Sequence, residues 1–312
     1  MKTILRIGTR RSPLALWQAA YVKQRLEGSD PYLECHLVHM ETKGDRLLDV
    51  PLAKIGGKGL FIKEIEEALL RREIDLAVHS LKDMPSELPP GLILGAVPTR
   101  EDPRDVLLTN DTSLTLDTLE QGARIGTSSL RRRAQLKRHR NDFEIVPLRG
   151  NVGTRIRKLK AGEMDAVVLA YAGIKRIGEI NRIAHLIDPE VCLPAIGQGV
   201  LGIEVREEDT MTRDVLQPLH DPHTALVVTA ERAFLAHLHG GCQVPIGGLC
   251  VLANGVLALA GLVASLDGAR CIRKEIKGAP EFAEDLGRAL ADEILRAGGD
   301  KILEGIYGEK EG

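Results

Sequence analysis

The chain has 312 residues, of which 44% are hydrophobic, 28% charged and only 3% aromatic, with a formal net charge of −2. That length suits two or three domains with an adequate core, and near-neutral charge with few aromatics argues against a protein that stacks nucleic-acid bases on aromatic platforms. Five widely spaced cysteines without a Cys-x-x-Cys pair argue against a disulfide framework or a zinc site, and no stretch approaches the ~20 apolar residues of a membrane span or reads as a secretory signal. The expectation is a soluble, cytoplasmic protein with reduced thiols.

In chain order, residues 4–8 read as a short apolar strand. Ser12-Pro13 supplies an N-cap and first helical position, and the helix runs through Leu16, Tyr21 and Leu26. Residues 34–40 alternate enough for a second strand. Residues 42–59 carry Gly44, Pro51 and the run Gly56-Gly57-Lys58-Gly59, the composition of a mobile loop and a candidate lid. Residues 61–72 are an amphipathic helix with Ile62, Ile65, Leu69 and Leu70 on one face. Strands are expected over 75–78 and 92–97. Strands alternating with helices predict an α/β domain with a largely parallel sheet.

The polar, proline-flanked stretch Pro98-Thr99-Arg100-Glu101-Asp102-Pro103-Arg104 suggests a domain crossing. A second α/β run follows, with strands near Val106, Ile125, Ile145 and Val167 and helices from Ser129, Asn151 and Ala172. The pattern breaks at 193–199, and residues 200–205 read as a strand that could return to the first sheet. Two α/β lobes joined by two crossings would enclose a hinged cleft. Beyond Pro222 comes a helix over 223–239, strands over 249–253, 256–263 and 271–277 with an Asn254-Gly255 hairpin turn, and a helix over 280–297. The domain assignment is 1–98 with 199–216, 99–198, and 217–312, the last a small α+β unit.

Residues 126–160 hold eleven Lys or Arg and two acids, Asp142 and Glu144. A strand ending at Gly126, with Ser128 or Ser129 capping the next helix, aims backbone N–H groups, hydroxyls and guanidinium forks at one spot, which suits carboxylates or phosphates. A second Ser/Thr-and-Arg turn follows at 149–155, so a ligand with several negative groups is expected. The alternative is an ordinary solvated helix face. Gly197-Gln198-Gly199-Val200-Leu201-Gly202 fits the dinucleotide fingerprint in letters only, because a strand follows it where a helix is needed. His237-x-His239 and His220-x-x-His223 lack accompanying ligands at metal spacing, so no metal is expected. His79-Ser80-Leu81-Lys82-Asp83-Met84-Pro85 follows a strand, where α/β sheets place ligands. Asp83 is either a poised carboxylate or a turn residue. Cys242, flanked by Gly240-Gly241 and the Gly247-Gly248 pair, sits on an exposed turn suited to covalent chemistry.

Six segments taken together resemble the porphobilinogen deaminase (hydroxymethylbilane synthase) family: Gly8-Thr9-Arg10-Arg11-Ser12-Pro13-Leu14-Ala15, Gly56-Gly57-Lys58-Gly59-Leu60-Phe61, His79 to Pro85, Gly126-Thr127-Ser128-Ser129-Leu130-Arg131-Arg132, Leu148-Arg149-Gly150-Asn151-Val152-Gly153-Thr154-Arg155, and Gly240-Gly241-Cys242-Gln243-Val244-Pro245. The resemblance implies two lobes like those of periplasmic binding proteins plus a small α+β C-terminal domain. It implies head-to-tail condensation of four porphobilinogen molecules to hydroxymethylbilane with release of ammonia, in tetrapyrrole synthesis. It also implies one covalent dipyrromethane cofactor per chain, joined by a thioether to Cys242. Lys82, Ser128, Ser129, Arg131, Arg132 and Arg155 are assigned by it to the cofactor; Arg10, Ser12, Thr127, Arg149 and Arg176 to substrate or the growing chain; and Asp83 to catalysis. A monomer is expected, with no nucleic-acid or membrane partner. A non-catalytic anion-binding protein and an Arg-mediated nucleic-acid binder are the two alternatives from other classes, distinguished by the absence of a covalent adduct and by steeply salt-dependent DNA binding respectively.

Overall fold

The computed structural model describes residues 3–42, 62–241 and 244–308. The expected lid and Cys242 lie outside the described residues. The chain divides into two compact units, Met1–Glu101 with Val200–Ala225, and Asp102–Gly199 with Leu226–Gly312.

The first unit is built on a five-stranded sheet in the order Leu33–Met40, Thr3–Arg10, Leu76–Ser80, Leu201–Arg206, Leu92–Ala96. Alternation along the strands sends side chains to opposite faces. Leu5, Ile7, Leu76 and Val78 meet Ala19, Val22 and Leu26 of the helix Pro13–Ser29 on one face. Ala77 meets Ile65, Ala68 and Leu69 of the helix Lys63–Leu70 on the other. The long helix starts where Ser12-Pro13 predicts: Ser12 Oγ accepts from the Ala15 N–H at 3.3 Å. The late strand does return to this sheet. The sheet is largely parallel, as expected, with four strands running one way; the exception is Leu201–Arg206, which runs antiparallel to both neighbours. It enters the sheet from the opposite end, having come back from the second α/β run instead of through a helical crossover.

The second unit contains a sheet of the same design, in the order Glu144–Val146, Arg124–Gly126, Ala166–Ala170, Asp105–Thr109, Ile183–Leu186. Again the first three are parallel, and the crossing strand, Asp105–Thr109, is antiparallel to both neighbours. Leu107, Ile125, Val168, Leu136 and Phe143 fill one side; Val106, Leu108, Val167, Ile156 and Leu159 fill the other. Ile183–Leu186 has no counterpart in the sequence reading, because four residues of mixed polarity carry no alternation strong enough to see.

The same unit includes a three-stranded antiparallel sheet, Ile246–Ala253, Val256–Ala264 and Cys271–Gly278, covered by residues 226–237 of the helix Pro222–His237 and by the helix Ala283–Ile294. Phe234, Leu257, Leu259, Val263 and Leu290 lie at its centre. Asn254 and Gly255 have φ of 51° and 75°, the pair of positive angles a tight two-residue hairpin requires. The single terminal helix expected over 280–297 is corrected. It breaks at Gly298, whose φ is 101°, and a separate helix, Asp300–Gly308, follows. In the loop between the last two strands, a Cβ on Gly268 would lie 2.3 Å from the Ala134 carbonyl oxygen and 2.9 Å from the Arg138 nitrogen. This loop therefore rests directly on the helix Leu130–His139. The fold is two α/β sheet domains plus a smaller α+β C-terminal region.

Candidate functional site

In the first unit, the C-terminal ends of two adjacent parallel strands carry the residues of interest. Thr3–Arg10 pairs with Leu76–Ser80 through Ile7 opposite Leu76 and Gly8 opposite Ala77. Arg10 and Ser12 therefore follow one strand end, and the 3₁₀ turn Leu81–Asp83 follows the next. Gln18 donates to Ser80 Oγ at 2.7 Å and ties the helix to that strand end. The turn buries Leu81, half-buries Lys82 and exposes Asp83. The Met84 N–H closes the turn on the Leu81 carbonyl at 3.0 Å. Among the described residues, Asp83 makes no hydrogen bond or ion pair, so its carboxylate is available to a ligand.

In the second unit the same edge is basic. Arg124–Gly126, Glu144–Val146 and Ala166–Ala170 end side by side and open into the helices Leu130–His139, Val152–Lys160 and Tyr171–Arg176. Ser129, not Ser128, caps the first: its Oγ accepts from the Arg132 N–H. Ser128 instead joins the two turns, its Oγ donating to the Leu148 carbonyl at 2.8 Å and accepting from the Leu148 N–H at 3.0 Å. Buried Thr127 accepts from the Ser129 N–H at 3.2 Å. Arg155 Nε donates to the Gly150 carbonyl at 2.8 Å, and Arg176 donates to the Gly199 carbonyl at 2.7 Å. Arg149, Arg155 and Arg176 are half-buried. These turns meet at one sheet edge, as the spacing of the motifs predicts.

Arg131 and Arg132 are placed differently from a pair of open forks. Both are buried, and they share one carboxylate that the sequence reading missed. Arg131 Nη2 donates to Asp105 Oδ2 at 2.8 Å and Arg132 Nη2 to Asp105 Oδ1 at 2.7 Å. Arg131 Nη1 also donates to the Leu193 carbonyl at 2.7 Å, and Arg132 Nη1 to the Val168 carbonyl at 3.1 Å. Gln198 Nε2 donates to Asp105 Oδ1 at 2.9 Å. The adjacent Cys192 thiol is pushed up to about 12, chiefly by burial, so it stays neutral. Two guanidinium groups thus face one carboxylate, and Arg132 Nε is buried without a partner. An unmatched positive charge and an orphaned donor fit a ligand carboxylate. A charged residue opening a buried strand was the visible signal: Asp105 precedes Val106-Leu107-Leu108, and a buried carboxylate needs a partner.

A second missed cluster lies in the first unit. Glu204, fully buried in the strand Leu201–Arg206, pairs with His79 Nε2 at 3.0 Å. Glu66 is also buried, and burial first, then the charge of Glu204, pushes its carboxyl up to about 7 against the opposing pull of His79. The folded state therefore holds this proton more tightly than the unfolded chain, whose value is 4.5. The stability it contributes is complete below the unfolded value and is lost as pH rises through about 7. Glu66→Gln should remove that loss, so that between pH 5 and 8 its stability gains on the parent by roughly 2.5 kcal/mol. Urea midpoints across that range check this, and parallel profiles for the two proteins would show that Glu66 does not titrate there.

Among the described residues no helix is long and apolar enough to cross a membrane, and no group of three His, Cys, Asp or Glu side chains could hold a metal ion. Fold and side-chain placement define an α/β protein in which one sheet ends in turns dense with arginine and hydroxyl side chains. A family model described as "Porphobilinogen deaminase, dipyromethane cofactor binding domain" matches residues 5–214, and one described as "Porphobilinogen deaminase, C-terminal domain" matches residues 225–296. The porphobilinogen deaminase of Syntrophotalea carbinolica is 55% identical over 97% of this chain and 96% of its own length. That of Syntrophobacter fumaroxidans is 53% identical over 97% and 98%. The chain belongs to the porphobilinogen deaminase family. It is accordingly a transferase of tetrapyrrole synthesis that forms hydroxymethylbilane from porphobilinogen and carries a covalent dipyrromethane cofactor.

Proposed function

We propose that the basic sheet edge of the second unit holds the carboxylates of the dipyrromethane and of the growing chain, and that Asp83 performs the electrostatic part of the condensation. The observation that carries this reading is the buried Arg131–Arg132 pair with its single shared counter-ion and its orphaned Arg132 Nε. Each porphobilinogen ring brings an acetate and a propionate, so a site of this kind needs more cations than the protein itself neutralises. Arg131, Arg132, Arg155, Ser128, Ser129 and Lys82 are assigned to the cofactor, with Cys242 as its thioether anchor. Arg10, Ser12, Thr127, Arg149 and Arg176 are assigned to substrate and the lengthening chain. When bound, the dipyrromethane supplies the primer to which the first substrate ring is joined.

Asp83 is proposed to accept the pyrrole N–H of substrate and to stabilise the cationic methylenepyrrolenine left when ammonia departs. At ~4 Å and an effective dielectric near 20 such a pair is worth about 4 kcal/mol, the scale of an electrostatic catalytic contribution. We further propose that the chain acts as a cytoplasmic monomer in three domains: 1–98 with 199–216, 99–198, and 217–312. Cys35 and Cys192, buried and outside any disulfide among the described residues, support the reducing compartment. Intact mass is the test: the active protein should exceed its sequence mass by one dipyrromethane, and Cys242→Ser should remove the excess. Active protein of unmodified mass would refute the anchor assignment.

A further inference from the structure

Asp105 has none of the roles proposed above, yet its carboxylate accepts from four side chains. It opens the strand Asp105–Thr109, and its backbone is fixed there by pairing with Ala170 and by accepting the Ile187 N–H at 2.9 Å. Its side chain is wholly buried. Each carboxylate oxygen receives a different arginine, Oδ2 from Arg131 and Oδ1 from Arg132, while Gln198 and the neutral Cys192 thiol donate to the same oxygens at 2.9 and 3.4 Å. Successive residues on a helix diverge by roughly 100°. Without a common acceptor, the guanidinium groups of residues 131 and 132 would point apart.

We infer that Asp105 is a positioning residue for cofactor capture: its two oxygens hold the Arg131 and Arg132 guanidinium groups as one unit with a residual charge of one, set to receive a ligand carboxylate. The inference rests on the proposed role of those two arginines. It differs from a purely electrostatic account in sign. Removing the Asp105 charge makes the cluster more positive, which by charge alone would speed capture of a polyanion. Asparagine, however, offers one acceptor oxygen and one N–H₂ donor. The donor confronts a guanidinium, and one arginine is driven from its place.

The experiment uses the full chain made without cofactor, incubated with porphobilinogen, and follows the rate at which intact mass gains one dipyrromethane, together with the thermal unfolding midpoint. Asp105→Asn should capture cofactor at least about tenfold more slowly despite its added positive charge, because displacement by ~1 Å is enough for such a loss. A lowered midpoint with an unchanged capture rate in the folded fraction would reduce Asp105 to a structural role, and faster capture would make it a mere counter-charge; either overturns the inference. Should Asp105→Asn fail to fold, Gln198→Leu removes one donor to Asp105 with no change in charge. It should slow capture by about three- to tenfold, and an unchanged rate there overturns the inference as well. Arg132→Leu serves as the reference. Normal capture in that variant would instead overturn the cofactor role of the arginines, and the positioning role with it.

Discussion

Asp83→Asn is expected to slow single-turnover ammonia release by about 10² to 10³, in protein whose dipyrromethane has first been verified by mass. The substitution preserves shape and removes charge at the exposed end of a 3₁₀ turn, where Asp83 has no partner among the described residues to rearrange. The arginines of the second unit are untouched, so substrate carboxylates should still bind and the loss should fall on turnover. Asp83→Glu keeps the charge but moves it by about one methylene, and misplacement of ~1 Å costs on the order of 10². It should be impaired yet clearly faster than Asp83→Asn. Equal or faster release from the asparagine variant would remove the charge-based role.

Arg131→Leu and Arg132→Leu should yield protein with no dipyrromethane, whereas Arg149→Leu and Arg176→Leu should carry the primer and stall in elongation. The structure gives the division a physical basis. Arg131 and Arg132 are buried and share Asp105, so deleting either leaves Asp105 paired one to one with the other and removes the surplus positive charge that a ligand carboxylate would meet. Arg149 and Arg176 are only half-buried, and their loss should disturb the fold far less. Intact-mass spectra before and after one equivalent of porphobilinogen separate the two groups. A normal primer with normal turnover in Arg132→Leu would undo the assignment.

Local chemistry carried most of what the sequence revealed. Ser12-Pro13 and Asn254-Gly255 act through their nearest neighbours, and both produce the helix start and the tight turn expected of them. The turns at 126–129, 148–151 and 81–83 follow strands, so their arrival at sheet edges could be inferred from alternation alone. What could not be read depends on contacts distant in the chain. Asp105 reaches Arg131 and Gln198 across 26 and 93 residues, and Glu204 reaches His79 across 125. Nothing near Asp105 or Glu204 announces a partner; only the cost of burying a lone carboxylate implies that one exists. Strand direction was hidden for a similar reason. Leu201–Arg206 looks like any apolar strand, and its antiparallel course is set by where the chain has been.

Gly268 has a mechanical consequence. Its loop acts as a backstop for the helix whose first turn carries Arg131 and Arg132, with no clearance for even a methyl group against the Ala134 carbonyl. An alanine there would work as a wedge against the middle of the helix, between Ala134 and Arg138, and would tilt the turn of the two arginines just before it. The chain segments flanking Cys242, the proposed anchor, up to Gly241 and from Val244, belong to the same compact unit as that helix. Strain applied at the loop of Gly268 would therefore be felt at the turn that carries Arg131 and Arg132.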